Sequence, residues 1–320
     1  FNTRPDELQL QQSWLYVQKE LDTSCGFDIG GRFDYVYGTD APNTQAFGIA
    51  NNHWDNQWDN GNDYGHAIPQ VYGEVGYGDV SVKLGKFYTT IGYEVVTAPD
   101  NFFYSHAYTF NNTEPFTHTG ALATYDAGNG YSVWGGYVFG WDSGFEDNGD
   151  SFLGGASVDL TDDVTLIYSL VGGRFNEGVF GSGFAERGYM QSIVMTADVT
   201  DDLHYIFQSD YIDTDDQFAN LVRRTTGVNQ YLIYDVNDCI GVGARVEWWQ
   251  YRDVIQGGEN DVVNLTLGVN VKPHSNVVVR PEVRWDWDNN AASANVIGTN
   301  VNENANEVQT TFGMDMIVTF

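Results

Sequence analysis

The chain has 320 residues, 36 of them Gly and 15% aromatic, and its 14 basic against 44 acidic side chains leave a formal charge of -30. That balance argues against nucleic acid as a partner, because phosphate binding needs basic patches. No apolar run approaches the ~18 residues of a spanning helix, which excludes helical membrane insertion but not a barrel that buries only alternate residues in lipid.

Leu8, Leu10, Trp14 and Tyr16 share parity in the first predicted strand, opposite Gln9, Gln11 and Ser13. After a short connection ending near Cys25, Phe27, Ile29, Phe33, Tyr35 and Tyr37 alternate with Asp28, Arg32 and Asp34. This is the dyad rhythm of a wall with lipid on one side and water on the other. A long polar loop over 38–68 follows, then strands near 69–77 and 80–88 joined at Gly78 and Asp79, then an unusually long segment over 89–115.

Short connections at 127–130, 161–163, 200–202, 236–239 and 272–275 then alternate with longer ones near 142–150, 174–187, 213–226, 252–261 and 288–305. Outer-membrane barrels sort their loops in this way, with the short turns periplasmic; sandwiches and propellers have no reason to. Aromatics on the apolar parity near strand ends (Trp14, Tyr37, Tyr137, Phe139, Trp141, Tyr205, Phe207, Trp248, Trp285 and Trp287) fit interfacial girdles.

The chain ends on 306–320, where Val308, Phe312, Met314, Met316, Val318 and Phe320 share one face and Gln309, Thr311, Gly313 and Asp315 the other. An aromatic carboxyl-terminal residue is how a closing outer-membrane strand usually finishes. The expectation is an all-β transmembrane antiparallel barrel, one domain over 1–320, with about fifteen strands and a sixteenth encoded upstream of Phe1.

Inward parity collects Arg32, Asp34, Lys83, Arg245, Glu247, Arg280, Glu282, Arg284 and Asp286 as candidate pore-lining residues. Glu282 lies between Arg280 and Arg284 and can pair with both, so the same charges also read as a ladder bracing the wall. The segment 89–115 sets Glu94, Asp100, His106 and Glu114 among Tyr93, Phe102, Phe103, Tyr104 and Tyr108. Aromatics so dense suit an infolded constriction, with Glu94 and Asp100 facing the arginines and Lys83 across the narrowest section; packing on a neighbouring subunit is the alternative.

Asp55, Asp59 and Asp63 recur every four residues and form a weak calcium candidate beside the plainer reading of a solvated acidic loop; no cofactor is expected. Cys25 and Cys239 fall in short turns on one rim and are disulfide candidates, with an intersubunit bridge or free thiols also open. No G-x-S-x-G, H-E-x-x-H or phosphate-binding loop points to an enzyme.

Several stretches resemble the OmpL-like bacterial outer-membrane porin family, the β-barrel porins of planctomycete-type bacteria. They are RPDELQLQQSWLYVQKELD at 4–22, FDIGGRFDYVYGTDA at 27–41, VKLGKFYTTIGYEVVTAPDNFFYSHAYTF at 82–110, PFTHTGALATYD at 115–126, GARVEWWQYRD at 243–253 and VVRPEVRWDW at 278–287. The resemblance implies a porin passing small hydrophilic solutes and ions, set in outer-membrane lipid. By analogy with wide barrels of this size, a homotrimer is expected. A substrate-selective channel and a plugged structural or anchoring protein are the alternatives. The family usually begins with an aromatic strand ahead of the segment matching Phe1, and that strand is absent from this sequence.

Overall fold

The computed structural model describes residues 7–46, 54–61, 63–145, 149–176, 185–253, 258–288 and 308–320. Strands β1 (Ser13–Lys19) and β2 (Phe27–Gly38) are followed by helix α1 (Ala41–Thr44) and a small hairpin, β3 (Asp59–Asn60) and β4 (Tyr64–Ala67). Strands β5 (Val71–Tyr77) and β6 (Val80–Tyr88) lead into helix α2 (Tyr108–Asn112). The rest is strand: β7 (Thr117–Asp126), β8 (Tyr131–Val138), β9 (Asp150–Thr161), β10 (Val164–Asn176), β11 (Glu186–Thr200), β12 (Leu203–Asp215), β13 (Leu221–Asn237), β14 (Ile240–Asp253), β15 (Gly258–His274), β16 (Val277–Asp288) and β17 (Val308–Val318).

Of the seventeen strands in the single sheet, β3 and β4 belong to the loop after β2 and the other fifteen make the wall. Each wall strand pairs antiparallel with its chain neighbour. Among the described residues β1 and β17 are not register partners.

Because side chains alternate across a strand, register fixes which residues share a face. Arg245 aligns with Tyr231 and Thr266, and Glu247 with Asn229 and Asn264, all inward and buried. Between them Val246 and Trp248 point outward and stay exposed, as do Ile29, Leu84, Leu232 and Phe312 on other strands.

Two of the expected outward aromatics are inside. Trp14 aligns with Val36 and its indole N–H donates to Asp34 at 3.0 Å, so in β1 the outward positions are Leu15 and Val17. Trp141 stacks on Phe175 at 4.9 Å and is buried. The loop expected over 213–226 shrinks to 216–220, because β12 and β13 keep pairing past the point where the apolar alternation stops. Cross-strand ion pairs such as Arg224 with Asp213 (2.8 Å) and Arg223 with Glu186 (2.6 Å) carry the wall onward there.

Cys25 ends the short helical turn Thr23–Cys25 before β2, and Cys239 lies between β13 and β14. Both thiols are exposed and free, which corrects the disulfide candidate. The wall from β2 to β13 separates the two turns, beyond the ~7 Å between Cα atoms that a bridge tolerates.

Candidate functional site

The interior has two zones. At the short-turn end, Arg32, Glu74, Lys83, Thr124, Thr165 and Thr196 face inward and are partly exposed, forming a wetted vestibule. Toward the long-loop end most inward positions are buried, Thr311 on β17 being an exposed exception. Phe87, Leu122, Val138, Leu153, Val171, Met190 and Ile212, one from each strand β6 to β12, close an apolar cluster with Ile91.

The segment 89–115 lies inside the barrel along β12 to β17, held through its backbone by the charged wall. Glu282 accepts the N–H groups of Tyr104 (2.9 Å) and Ser105 (3.1 Å). Glu247 accepts those of Tyr108 (2.8 Å) and Thr109 (2.6 Å) at the start of α2, together with the Thr109 hydroxyl (2.7 Å). The cations take the carbonyls: Arg280 donates to Ala98 (2.9 Å) and Asn101 (2.5 Å), Arg245 to Ser105 (2.6 Å), and Arg284 to His106 (2.7 Å). Anions thus bind donors and cations bind acceptors, each bond strengthened by the full charge.

The expected pairing of Glu282 with both neighbouring arginines is replaced. Arg280 forks onto Asp315 with Nε at 2.9 Å and Nη2 at 2.6 Å, and Arg284 pairs with Asp286 at 2.8 Å, which leaves Glu282 for the segment. Glu94 does not face the wall across water. It is buried against Arg245 at 2.7 Å and also accepts from Tyr231 Oη (3.1 Å) and Ala107 N–H (2.9 Å), with His106 at 3.0 Å. Burial by itself would raise its pKa, but Arg245, His106 and the Ala107 N–H hold the carboxyl at about 2.

Asp100 stays exposed and accepts from Thr97 Oγ1 at 2.5 Å. Arg32 and Lys83 stand apart on β2 and β6. Arg32 is paired to Asp34 at 2.5 Å and lies 4.5 Å over the Tyr16 ring, while the Lys83 ammonium lies 4.4 Å over Tyr72. The structure therefore brings Glu94, Arg245, Glu247, Arg280, Glu282, Arg284 and Asp286 together around the segment, and leaves Arg32, Asp34 and Lys83 in or beside the vestibule.

The seat also contains residues that charge parity does not reveal. A Cβ on Gly243 would meet the Phe102 ring at 2.5 Å, one on Gly268 the Phe103 ring at 3.0 Å, one on Gly313 the Tyr104 ring at 2.7 Å, and one on Gly227 the Thr109 side chain at 2.2 Å. Four inward glycines on β13, β14, β15 and β17 form a trough for the segment. Glycine inside a strand is the sequence mark of such a close approach.

At the neck of the segment Thr89 N–H donates to Phe116 O (3.0 Å), and Gln208 accepts from Tyr93 N–H (3.2 Å) while donating to Glu114 (2.6 Å) and Asp210 (2.9 Å). Glu114 sits well above the usual carboxylate range, first because it is buried and then because Asp210 is beside it.

The aspartates expected as a weak calcium site do not converge. Asp55 accepts from Ala46 N–H (2.8 Å) and Ile68 N–H (2.7 Å) beside Lys86 (3.8 Å), and Asp59 accepts from Gln45 (3.1 Å). Among the described residues no three His, Cys, Asp or Glu side chains gather to hold a metal ion.

A family model described as beta-barrel porin-2, OmpL-like matches residues 1–320. No curated protein matches the chain by sequence. Among solved structures, the chain is similar to an anion-selective porin from Comamonas acidovorans, with 12% identity, 96% of this chain and 88% of that one covered, and a TM-score of 0.63. It is similar to Salmonella typhi OmpF in a complex with daunomycin, with 12% identity, coverage of 98% and 93%, and a TM-score of 0.62. A third is the trimer form of in-vitro folded OmpT, an outer membrane protein of Vibrio cholerae, with 15% identity, coverage of 97% and 96%, and a TM-score of 0.59.

Proposed function

The chain belongs to the OmpL-like beta-barrel porin-2 family of outer-membrane β-barrels, and on that premise we propose that it passes small hydrophilic solutes and ions through the barrel's short-turn vestibule, past segment 89–115. The observation that carries this reading is the vestibule itself, where charged and hydroxyl side chains face water on the inward parity while the opposite parity is apolar. Arg32 and Lys83 act there as the cations a solute meets first. The ladder of Arg245, Glu247, Arg280, Glu282, Arg284 and Asp286 acts by positioning the segment, with Glu94 as its main ionic anchor.

The working unit is a homotrimer in outer-membrane lipid, the form named for the Vibrio cholerae protein. No catalysis is proposed. With a formal charge of -30, the pore prefers cations at low ionic strength and loses that preference at 1 M salt, where the Debye length is ~3 Å. Single-channel recording of the purified protein in planar bilayers tests the proposal: ion conductance with a salt-dependent zero-current potential is expected. The buried long-loop half of the interior favours a second reading, a barrel shut by its own segment. A protein that never conducts would establish that reading in its permanent form and overturn passive diffusion.

A further inference from the structure

We propose that segment 89–115 is a displaceable plug whose seated form closes the channel, so that solutes cross only when it leaves its seat on β12 to β17; this rests on the pore reading above. Three observations lead to it. The first is the distribution of buried surface. Val36, Phe87, Leu153, Met190, Ile212 and Trp249 face inward from six strands spread around the wall, and each is 1% exposed or less. A fixed eyelet with the segment seated would leave wetted side chains along its edge at that level. Among the described side chains at that level Thr311 on β17 is exposed, and elsewhere water reaches the inward face in the vestibule below.

The second is the chemistry of the seat. When the segment leaves, Arg280 keeps both bonds to Asp315 and Arg284 keeps Asp286. Glu247 and Glu282 lose N–H donors that water replaces, and Glu247 keeps Asn264. The Glu94–Arg245 pair parts, which is the main cost of unseating, with Arg245 keeping Thr266. A buried charge stripped of its partner is expensive, whereas one that retains a partner and gains water is not. Around the seated segment, Asn229 Oδ1 and Nδ2, Asn264 Oδ1, Arg245 Nε and Glu114 Oε2 are buried without a protein hydrogen-bond partner. Each of these gains solvation when the plug moves.

The third is the neck. Both ends of the segment meet at one place, tied by Thr89 to Phe116 and by Gln208 to Tyr93 and Glu114. Gly92 takes a left-handed φ of +87° there, which favours glycine, and a Cβ on it would strike Glu114 Oε2 at 2.0 Å. Residues 93–113 can swing from this closed neck as one body, with no wall strand opening. A few residues at element ends that absorb the backbone change are what a hinge requires.

A reversible tether tests the proposal. A Cβ on Gly227 lies 3.0 Å from Thr109 Cβ, about half an ångström short of the ~3.5–4.5 Å range that a disulfide spans, a gap that a small shift of the segment closes. T109C/G227C is made in a C25S/C239S background, and gel migration confirms folding and cross-linking. Oxidation should lower open probability in planar bilayers more than tenfold, and reductant should restore it. E247Q/E282Q, which weakens the seat without a tether, should raise open probability. A cross-linked protein that conducts as the reduced one does overturns the plug in favour of a fixed eyelet. Silence of the reduced protein, with conduction gained on deleting 98–110, overturns displaceability. If that deletion is folded and still silent, the pore reading itself fails.

Discussion

Glu94→Gln should loosen the seated segment about a hundredfold. The folded carboxyl sits at about 2 against an ordinary 4.5, and at about 1.36 kcal/mol per unit that difference corresponds to roughly 3 kcal/mol. Breaking a buried ion pair from one side gives about 3–5 kcal/mol by a separate route, and Gln keeps part of the hydrogen bonding, so the lower end applies. About 3 kcal/mol is roughly a factor of 10² in the population of the unseated form. Because the folded pKa is depressed, this contribution is complete above pH 4.5 and is lost as pH falls toward 2. The assay is amide hydrogen exchange at Ala107, whose N–H donates to Glu94, and at Thr109, whose N–H donates to Glu247. Exchange at both should speed up together in Glu94→Gln, and the acid-dependent acceleration of the wild type should disappear. Unchanged exchange at Ala107 in a folded variant would refute the assignment of Glu94 as the ionic anchor.

Gly243→Leu forces a side chain into the Phe102 ring, 2.5 Å from where Cβ must stand; overpacking of this kind costs about 1–3 kcal/mol. It should lower the thermal transition read by heat-dependent gel migration, whereas Gly73→Ala, which meets nothing within 4 Å, should not. Glu114 gives the opposite pH signature to Glu94. Its folded pKa is raised, so seating weakens as pH climbs above the ordinary carboxylate value and levels off once Glu114 ionises. The groups facing it are Asp210, Gln208, Gly92 and, farther off, Glu94. Glu114→Gln should remove that alkaline slope from the exchange rates, and a slope that persists assigns it to another group. Cys25 and Cys239 should both react with a membrane-impermeant maleimide from the periplasmic side, to the same extent with and without reductant. Labelling from the outside would reverse the topology.

The wall was legible in the sequence because lipid and water impose a period of two on every strand that separates them. Where that pressure acts on both faces, as over 308–318 with Phe312 and Met314 outward and Thr311 and Asp315 inward, parity and register agree. It failed where the solvent on one face is protein. Trp14 has the composition of a lipid-facing residue, yet it points inward because the infolded segment supplies an apolar surface of Val96, Ala107 and Phe110 inside the barrel. Trp141 does the same against Phe175.

The charged ladder was found by parity but misread in its object. Sequence shows which side chains face the lumen, and it cannot show that the partners of Glu247 and Glu282 are backbone N–H groups, because every residue except proline carries one. The glycines at 227, 243, 268 and 313 were the available clue. A strand inside a lipid-facing wall weakens its own packing by carrying glycine, so an inward row of them across β13 to β17 implies a body lying close against it. The glycines let the backbone of segment 89–115 settle against the wall, and its aromatic side chains pack around them: Phe103 lies among Val194, Ile206, Tyr231 and Ile233, and Tyr108 stacks on Trp249. Its hold on this part of the wall therefore combines that aromatic packing with charges and hydrogen bonds such as those of Glu247 and Glu282, which water can replace when the segment moves.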